Sequence, residues 1–543
     1  MARDRSLLLH NLGVPVAWAG IAHWRILDTS LDNGERFLAT WHAWKSDPHR
    51  PRLLHYVALE SDALSAADWL RRRPLPEADP ALAPLAAQLR AQCFGLLPGF
   101  HRLEFDDARV LLTLCVGELK DVLREQRFEA DAVYLAHSAA PPGAIPSRTG
   151  PWDLWTCKAL ARCCRRGTAL AAAPGAVATA RQWLVQVGFV PDEDPTPPQA
   201  ASESGPAAWR ATFNPAWTPK RRHTLGEAQD LHSAAPGRCA VIGAGLSGAA
   251  VAASLTRRGW QVEVLDAAEA PASGASGLPA GLLAAHGSPD DGVLSRLSRC
   301  GVRLTLQRLR ILLHEGTDWQ QTGLLEHRVH GTATRPALWA EAGRDWNVPA
   351  SAGQLRLAGL APDTLAYWHA PAAWVKPASL VRALLSQPGV AWRGGARVAA
   401  FRRADGGWQA LDSAGTVLAR ADMVVIAAGF DSRALLAAAT GRAPPLQAIR
   451  GQISYGTNAA AGLPPFPVNG NGNLTPCVPL GSASAWIAGA TDERDNASAS
   501  YSAQDHVANL QRLATLLPVV GRQLQDEFSS GRVQAWAGVR CVT

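Results

Sequence analysis

The segment Gly243-Ala244-Gly245-Leu246-Ser247-Gly248 follows the short apolar run Arg238–Ile242 and precedes a helical pattern over residues 249–258. A second strand-like run, Gln261–Leu265, comes next and ends in Asp266. In that setting each glycine has a reason. Gly243 permits a tight turn, Gly245 lets the backbone approach a pyrophosphate, and Gly248 lets helix and strand pack closely. The helix N-terminus offers unpaired N–H groups and partial positive charge to a phosphate. Asp266 lies 23 positions after Gly243, at a strand end from which a carboxylate can hold ribose hydroxyls. Three glycines at this spacing say little alone. With strand, helix, second strand and acid in order, they predict a βαβ dinucleotide-binding unit.

Further along, Met423-Val424-Val425-Ile426-Ala427-Ala428-Gly429 reads as a buried strand ending in a small-residue turn, where a flavoprotein would bring its chain back to the cofactor. Between the two lie Gly274-Ala275-Ser276-Gly277 and Ala280-Gly281, small residues suited to close passage along a flavin. Singly, these fit ordinary turns of an Ala-rich chain. Together they favour FAD over NAD.

A length of 543 residues implies two to four domains at about 100–200 residues each. Apolar residues at 47% with 18% charged exclude a disordered chain. The longest apolar runs fall short of the ~18 residues a membrane helix needs, so no membrane span is expected. Net charge is +7, and only five of the 53 basic residues are lysine. Abundant arginine permits a nucleic-acid partner through phosphate pairing, and GC-rich codon usage accounts for it equally. The nine cysteines are irregularly spaced without a C-x-x-C pair, which excludes a structural zinc site or a disulfide framework; no metal is expected. Residues 1–19 imitate a signal peptide, but His10, Asn11 and Pro15 interrupt the apolar stretch, so the expected location is cytoplasmic. Residues 190–236 are dense in Pro, Ala and Ser, a linker composition. The expected division is therefore a first domain over 1–190, a linker over 191–236 and a second domain over 237–543. Strand-like runs alternate with helical patterns on both sides, the mark of α/β units.

The second half resembles the FAD-dependent amino-acid oxidase superfamily, which also holds glycine oxidase and sarcosine oxidase. Within it, the order of the 243–248 motif, residues 270–281, Arg450-Gly451-Gln452, Gly489-Ala490-Thr491 and Ala537-Gly538-Val539-Arg540-Cys541 resembles the MnmC family of bifunctional tRNA 5-methylaminomethyl-2-thiouridine biosynthesis proteins. Residues 38–44, Glu60, residues 97–103 and Trp152-Asp153-Leu154-Trp155 follow that family's methyltransferase half in order. The resemblance implies an α/β protein: an N-terminal Rossmann-like methyltransferase domain, then an FAD-binding Rossmann-type oxidase domain with an inserted mixed-sheet substrate region. It implies an FAD-dependent oxidase that removes the carboxymethyl part of a carboxymethylaminomethyl group on the tRNA wobble uridine, and S-adenosylmethionine-dependent methylation of the resulting amine. The candidate FAD-binding residues are Gly243, Gly245, Gly248, Asp266, Ser276, Gly277, Val398, Ala428 and Gly429. Arg540 matches the arginine expected at the substrate carboxylate.

This chain also departs from the family. Where the family has a glycine-rich loop for S-adenosylmethionine, it reads Asp28-Thr29-Ser30-Leu31-Asp32-Asn33-Gly34-Glu35-Arg36-Phe37. Side chains there are expected to obstruct a site that needs close backbone approach. Asp28, Gly34, Glu60 and Glu118 are the candidate remnants of that site. The family's acidic L-D-G-F-A-P segment corresponds to Leu135-Ala136-His137-Ser138-Ala139-Ala140-Pro141, so the acid is replaced by Ala136. A basic segment before the linker is replaced by Glu203-Ser204-Gly205-Pro206-Ala207-Ala208-Trp209. The expectation is a methyltransferase fold with impaired activity. The chain stops at Thr543, short of the family's late Gly-rich turn, so a C-terminally shortened oxidase domain is expected. Two alternatives stay open: a non-catalytic flavin- or tRNA-binding remnant, and a small-molecule amine oxidase of the glycine or sarcosine type. Residues 71–73, Arg162 with Arg165-Arg166, and residues 220–222 are basic clusters available to tRNA, though solvated basic faces are commoner.

Overall fold

The computed structural model describes residues 9, 11–61, 79–126, 128–136, 152–172, 174–192, 209–217, 235–288, 290–329, 341–404, 406–457 and 462–543. The basic clusters at 71–73 and 220–222, residues 137–141 and residues 203–208 lie outside them. The chain forms two compact units, Met1–His232 with Trp339–Asp345, and Ser233–Leu338 with Trp346–Thr543.

The first unit is built on eight strands: β1 (His23–Asp28), β2 (Leu53–Glu60), β3 (Gly99–Phe105), β4 (Val110–Val116), β5 (Ala130–Leu135), β6 (Cys164–Ala172), β7 (Phe189–Pro191) and β8 (Trp209–Phe213). Their order across the sheet is β3-β4-β2-β1-β5-β6-β8-β7. The central strands β4, β2, β1, β5 and β6 are parallel. β4 and β5 are buried along their whole length, as a parallel sheet covered on both faces requires. One face packs a core that includes Ile26, Phe37, Trp41, Tyr56 and Leu112 under the helix Glu35–Ser46. The other packs Leu27, Val57, Val133 and Leu160 under the helix Leu154–Ala161.

The stretch expected as a linker contains one of these strands. β8 pairs antiparallel with both β6 and β7, and Ala211 and Phe213 are buried in the first unit's core. Alternate apolar residues let β8 cover the sheet although its surroundings are rich in Pro, Ala and Ser.

In the second unit, β9 (Arg238–Ile242) and β10 (Gln261–Leu265) form a parallel four-stranded sheet with Val390–Arg393 and Met423–Ile426, in the order Val390–Arg393, β10, β9, Met423–Ile426. The helix between β9 and β10 spans Leu246–Arg257, starting earlier than the sequence pattern indicates because the glycine loop is itself its first turn. Met423–Ile426 was expected to be buried and is instead half-buried throughout, since it is the edge strand of that sheet. A nine-stranded mixed sheet follows in space, containing Leu324–His327, Ala366–His369, Gln447–Gly456, Gly472–Leu480, Ala483–Gly489 and Gln534–Val542. One of its faces is covered by the helices Ala503–Leu516 and Pro518–Ser529 around Leu325, Leu474, Trp486 and Leu516. The other carries Ile453, Val478 and Ile487, packed with Ala280 and Trp374. The α/β architecture with two Rossmann-type sheets and an inserted mixed sheet is the one expected. No described helix is long and apolar enough to cross a membrane.

Candidate functional site

The glycine loop is shaped by close contacts that exclude side chains. A β-carbon at Gly248 would lie 1.8 Å from the carbonyl oxygen of Gly243. Gly243 has φ +109°, and a β-carbon there would lie 2.4 Å from the carbonyl oxygen of Ala427. Ala427 donates its N–H to Ile242, which brings the end of Met423–Ile426, with Ala428 and Gly429, against the loop. At Gly245 the nearest atom to a β-carbon is the Ser276 hydroxyl, at 3.2 Å. That hydroxyl accepts the N–H of Leu246, the first residue of the helix, at 3.0 Å. Ser276 and Gly277 belong to a single turn, Ala275–Gly277. A polar oxygen thus already sits on the helix N-terminus, where backbone N–H groups and the helix dipole favour an anionic group. Together with the glycine cradle, this donor set fits a dinucleotide pyrophosphate.

Asp266 directly follows β10, and its carboxylate is engaged. One oxygen accepts from Ala244 N–H at 2.6 Å and the other from Ala268 N–H at 2.8 Å. A carboxylate has about four lone-pair sites, so acceptor capacity remains for ribose hydroxyls. Val398 is buried in the core with Leu265, Ala240 and Ile242, and its side chain belongs to that packing.

Arg540 lies on Gln534–Val542, which runs antiparallel to Gln447–Gly456 with Arg540 opposite Ile449 and Gly538 opposite Gly451. This strand packs against both the Ala275–Gly277 and Gly429–Asp431 turns, so Arg540 is carried by the element that touches both small-residue loops. Its side chain is half exposed, and its Nη2 donates to Asp492 Oδ1 at 3.0 Å. Gly451 lies beside it: a β-carbon there would be 3.5 Å from the Arg540 guanidinium.

Arg450 and Gln452 hold the opposite face of the same sheet. Arg450 donates to Asp505 at 2.6 Å and to Gln452 Oε1 at 3.0 Å. Gln452 exchanges bonds with the backbone of Ser502, at 2.8 Å in each direction. Ser454 continues the row, with its hydroxyl 2.7 Å from His506 Nδ1 and accepting from Asn509 at 3.0 Å. Burial holds the His506 pKa below its ordinary value, against the pull of Asp505. Alternate residues of one strand thereby fasten the start of the helix Ala503–Leu516. Sequence reasoning picked out Arg450-Gly451-Gln452 but missed Ser454, His506, Asn509 and Asp492; the period-two row 450, 452, 454 was the available signal.

In the first unit, β1, β2, β4 and β5 present their C-terminal ends along one edge, where Asp28, Glu60 and Glu118 sit at or just beyond strand ends. Asp28 is fully buried and accepts four hydrogen bonds. Arg36 supplies two through Nε and Nη2, at 2.9 and 3.2 Å; the Tyr56 hydroxyl supplies one at 2.6 Å and Ser30 N–H one at 3.2 Å. Arg36 also donates to the carbonyl of Ser30, so its side chain folds back over the loop. Burial alone would lower the Arg36 pKa, but Asp28, joined by Tyr56 and Asp32, outweighs it and the guanidinium stays above its ordinary value. Gly34, at φ +75°, starts the helix that carries Arg36. Asp32 also adopts a left-handed conformation, φ +51°. Glu60 is buried and accepts the N–H of Ser61 at 3.1 Å, whereas Glu118 is exposed at a helix start. Ala136 donates its N–H to Thr29 Oγ1 at 2.9 Å, closing the same edge.

Residues 238–543 match the model of the FAD dependent oxidoreductase family. The chain is 51% identical over 554 residues to the tRNA 5-methylaminomethyl-2-thiouridine biosynthesis bifunctional protein MnmC of a Polaromonas species, covering 99% of this chain and 84% of that protein. The protein of the same name from Cupriavidus metallidurans is 34% identical over 563 residues, with 100% of this chain and 79% of the relative covered. Among solved structures, glycine oxidase from Geobacillus kaustophilus aligns over 56% of this chain and 83% of its own, at 22% identity and a TM-score of 0.45.

Proposed function

Because the chain belongs to the MnmC family of bifunctional tRNA 5-methylaminomethyl-2-thiouridine biosynthesis proteins, with an FAD dependent oxidoreductase half from residue 238, we propose that it acts on the tRNA wobble uridine. The reaction is FAD-dependent oxidation of the N–CH2 bond in a 5-carboxymethylaminomethyl group, which leaves an aminomethyl group on the base. The observation that carries this proposal is the meeting of three elements: the glycine cradle, the Ser276 hydroxyl on the helix N-terminus, and the Arg540 strand against both flanking turns. FAD, when bound, supplies the acceptor for hydride. The chain's own residues do the rest. Gly243, Gly245 and Gly248 would let the backbone approach the pyrophosphate, Ser276 with the helix N-terminus would hold it, and Asp266 would accept from ribose. Ala428 and Gly429, held against the glycine loop by the Ala427–Ile242 bond, would border the cofactor. Arg540 can take the substrate carboxylate bidentately, which fixes the N–CH2 carbon relative to the flavin. Loss of hydride creates a C=N bond that water splits, releasing the two-carbon acid. A CH–NH oxidoreductase with tRNA as substrate, located in the cytoplasm, accounts for these features together.

The methyltransferase half is proposed to be impaired. Family members are named as bifunctional, yet Asp28 here is saturated by Arg36, Tyr56 and Ser30. The Arg36 side chain occupies the loop edge along which S-adenosylmethionine would have to lie on bare backbone. These residues do not fit that cofactor, and the first unit is read as a retained scaffold ending beyond Phe213.

Mass spectrometry of tRNA nucleosides from cells lacking the gene tests the oxidase half. Carboxymethylaminomethyl uridine should accumulate, return to normal with the wild-type chain, and persist with Arg540→Gln. Absence of accumulation overturns the tRNA assignment. Anaerobic flavin bleaching by free glycine or sarcosine, with none by the modified tRNA, would instead favour a small-molecule oxidase. Binding of labelled S-adenosylmethionine at micromolar concentration would refute the impaired methyltransferase half.

A further inference from the structure

Asp492 occupies the arginine that the substrate carboxylate is to bind. Its Oδ1 lies 3.0 Å from Arg540 Nη2, and the two side chains are about equally exposed, at 49% and 51%. Asp492 is held there by its backbone. On one side, Thr491 donates to the Gln452 carbonyl at 3.1 Å and its hydroxyl accepts Gln452 N–H at 3.1 Å. One residue earlier, the Ala490 carbonyl accepts from Arg512. On the other side, Glu493 and Arg494 pair with Arg450 and Ile449. Strand alternation then puts Glu493 on the face of Arg450, with which it forms an ion pair at 3.8 Å, and Asp492 on the face of Arg540.

We propose that Asp492 is a built-in counter-ion of the substrate-binding arginine: a substrate carboxylate must displace it from Arg540, so Asp492 sets the affinity an incoming acid needs in order to bind. Two carboxylates on one guanidinium repel, so every incoming acid meets the same penalty. Free small carboxylates bring few other contacts to offset it. A carboxymethylamino group attached to tRNA brings the contacts of a large ligand, and binding energy from remote parts can be spent at the reacting end. Asp492 thus sets a threshold: a free amino acid, with little other binding energy, leaves Arg540 paired with Asp492 at concentrations where the tRNA-borne group still displaces it. The proposal rests on Arg540 binding the substrate carboxylate.

Acetate is the probe, titrated into the full-length FAD-loaded protein and followed both by flavin absorbance and by calorimetry. Asp492→Asn and Asp492→Ala should bind acetate about two- to fivefold tighter, the scale of a half-exposed ion pair, whereas Asp492→Glu should stay near wild type. Arg540→Gln should weaken acetate at least about tenfold. If Arg540→Gln weakens acetate while Asp492→Asn and Asp492→Ala leave it unchanged or weaker, the counter-ion role is overturned and the Arg540 assignment stands. If Arg540→Gln binds acetate as wild type does, the Arg540 assignment fails, and the role of Asp492 with it.

Discussion

Replacing Arg36 by alanine removes the guanidinium from a carboxylate that stays buried. The Asp28 side chain is fully buried and that of Arg36 is 19% exposed. Two donors remain on Asp28, the Tyr56 hydroxyl and Ser30 N–H. Breaking a buried ion pair from one side costs about 3–5 kcal/mol. The partial exposure of Arg36 and the surviving donors place this case near the lower end, about 3 kcal/mol. That energy corresponds to roughly a hundredfold rise in the open population of the first sheet. Hydrogen exchange read by mass spectrometry follows each unit separately. Protection in peptides covering His23–Asp28 and Leu53–Glu60 should fall about a hundredfold, with no change in peptides of the second unit. The double replacement Asp28→Asn with Arg36→Met should recover most of the loss, because a neutral amide needs no guanidinium. A loss under about 1 kcal/mol for Arg36→Ala, or a double variant no better than the single one, would refute the buried-pair account.

Gly248→Ala should abolish flavin content, since its methyl would lie 1.8 Å from a backbone oxygen and distort the loop itself, whereas Gly245→Ala, whose methyl meets the Ser276 hydroxyl at 3.2 Å and the space proposed for the pyrophosphate, should lower it less severely. The flavin-to-protein absorbance ratio of the purified variants checks the order, and equal ratios would count against the cradle. Burial pushes the Cys115, Cys157 and Cys163 thiols up to about 12, while Cys477 is exposed. Iodoacetamide on the native protein should therefore label Cys477 well before those three, as read by peptide mass spectrometry. His506 has a folded pKa below its ordinary 6.5, owing to burial. Its contribution to stability is present above 6.5 and is lost as pH falls through the folded value. Melting of the second unit between about pH 7 and 5 should show that loss in the wild type and a flatter profile in His506→Gln; parallel profiles would rule the contribution out.

The dinucleotide motif was legible because its glycines answer to backbone geometry and contact distance, which a local pattern records: Gly243 and Gly248 can carry no side chain where they stand. β8 was not legible. Five residues are too few for a period to stand out, and its partner β6 ends well before it in the chain. The apolar run of Met423–Ile426 announced a strand, but whether a strand lies inside a sheet or at its edge is decided by pairing. The loop after β1 announced bulk and charge. That Arg36 would turn back onto Asp28, eight residues earlier, depends on the helix geometry that aims it. The partners of Ser454 and Gln452 lie some fifty residues further on, beyond any local pattern.

The position of β8 between β6 and β7 also bears on how the first unit is made. During synthesis, β7 leaves the ribosome before the strand that joins it to the sheet, so an open edge of β6 waits for about forty further residues to emerge. Unpaired edges are templates for pairing with other chains. A protein cut at residue 190 would keep that edge exposed permanently and should aggregate, whereas one cut beyond Phe213 closes it with its own strand.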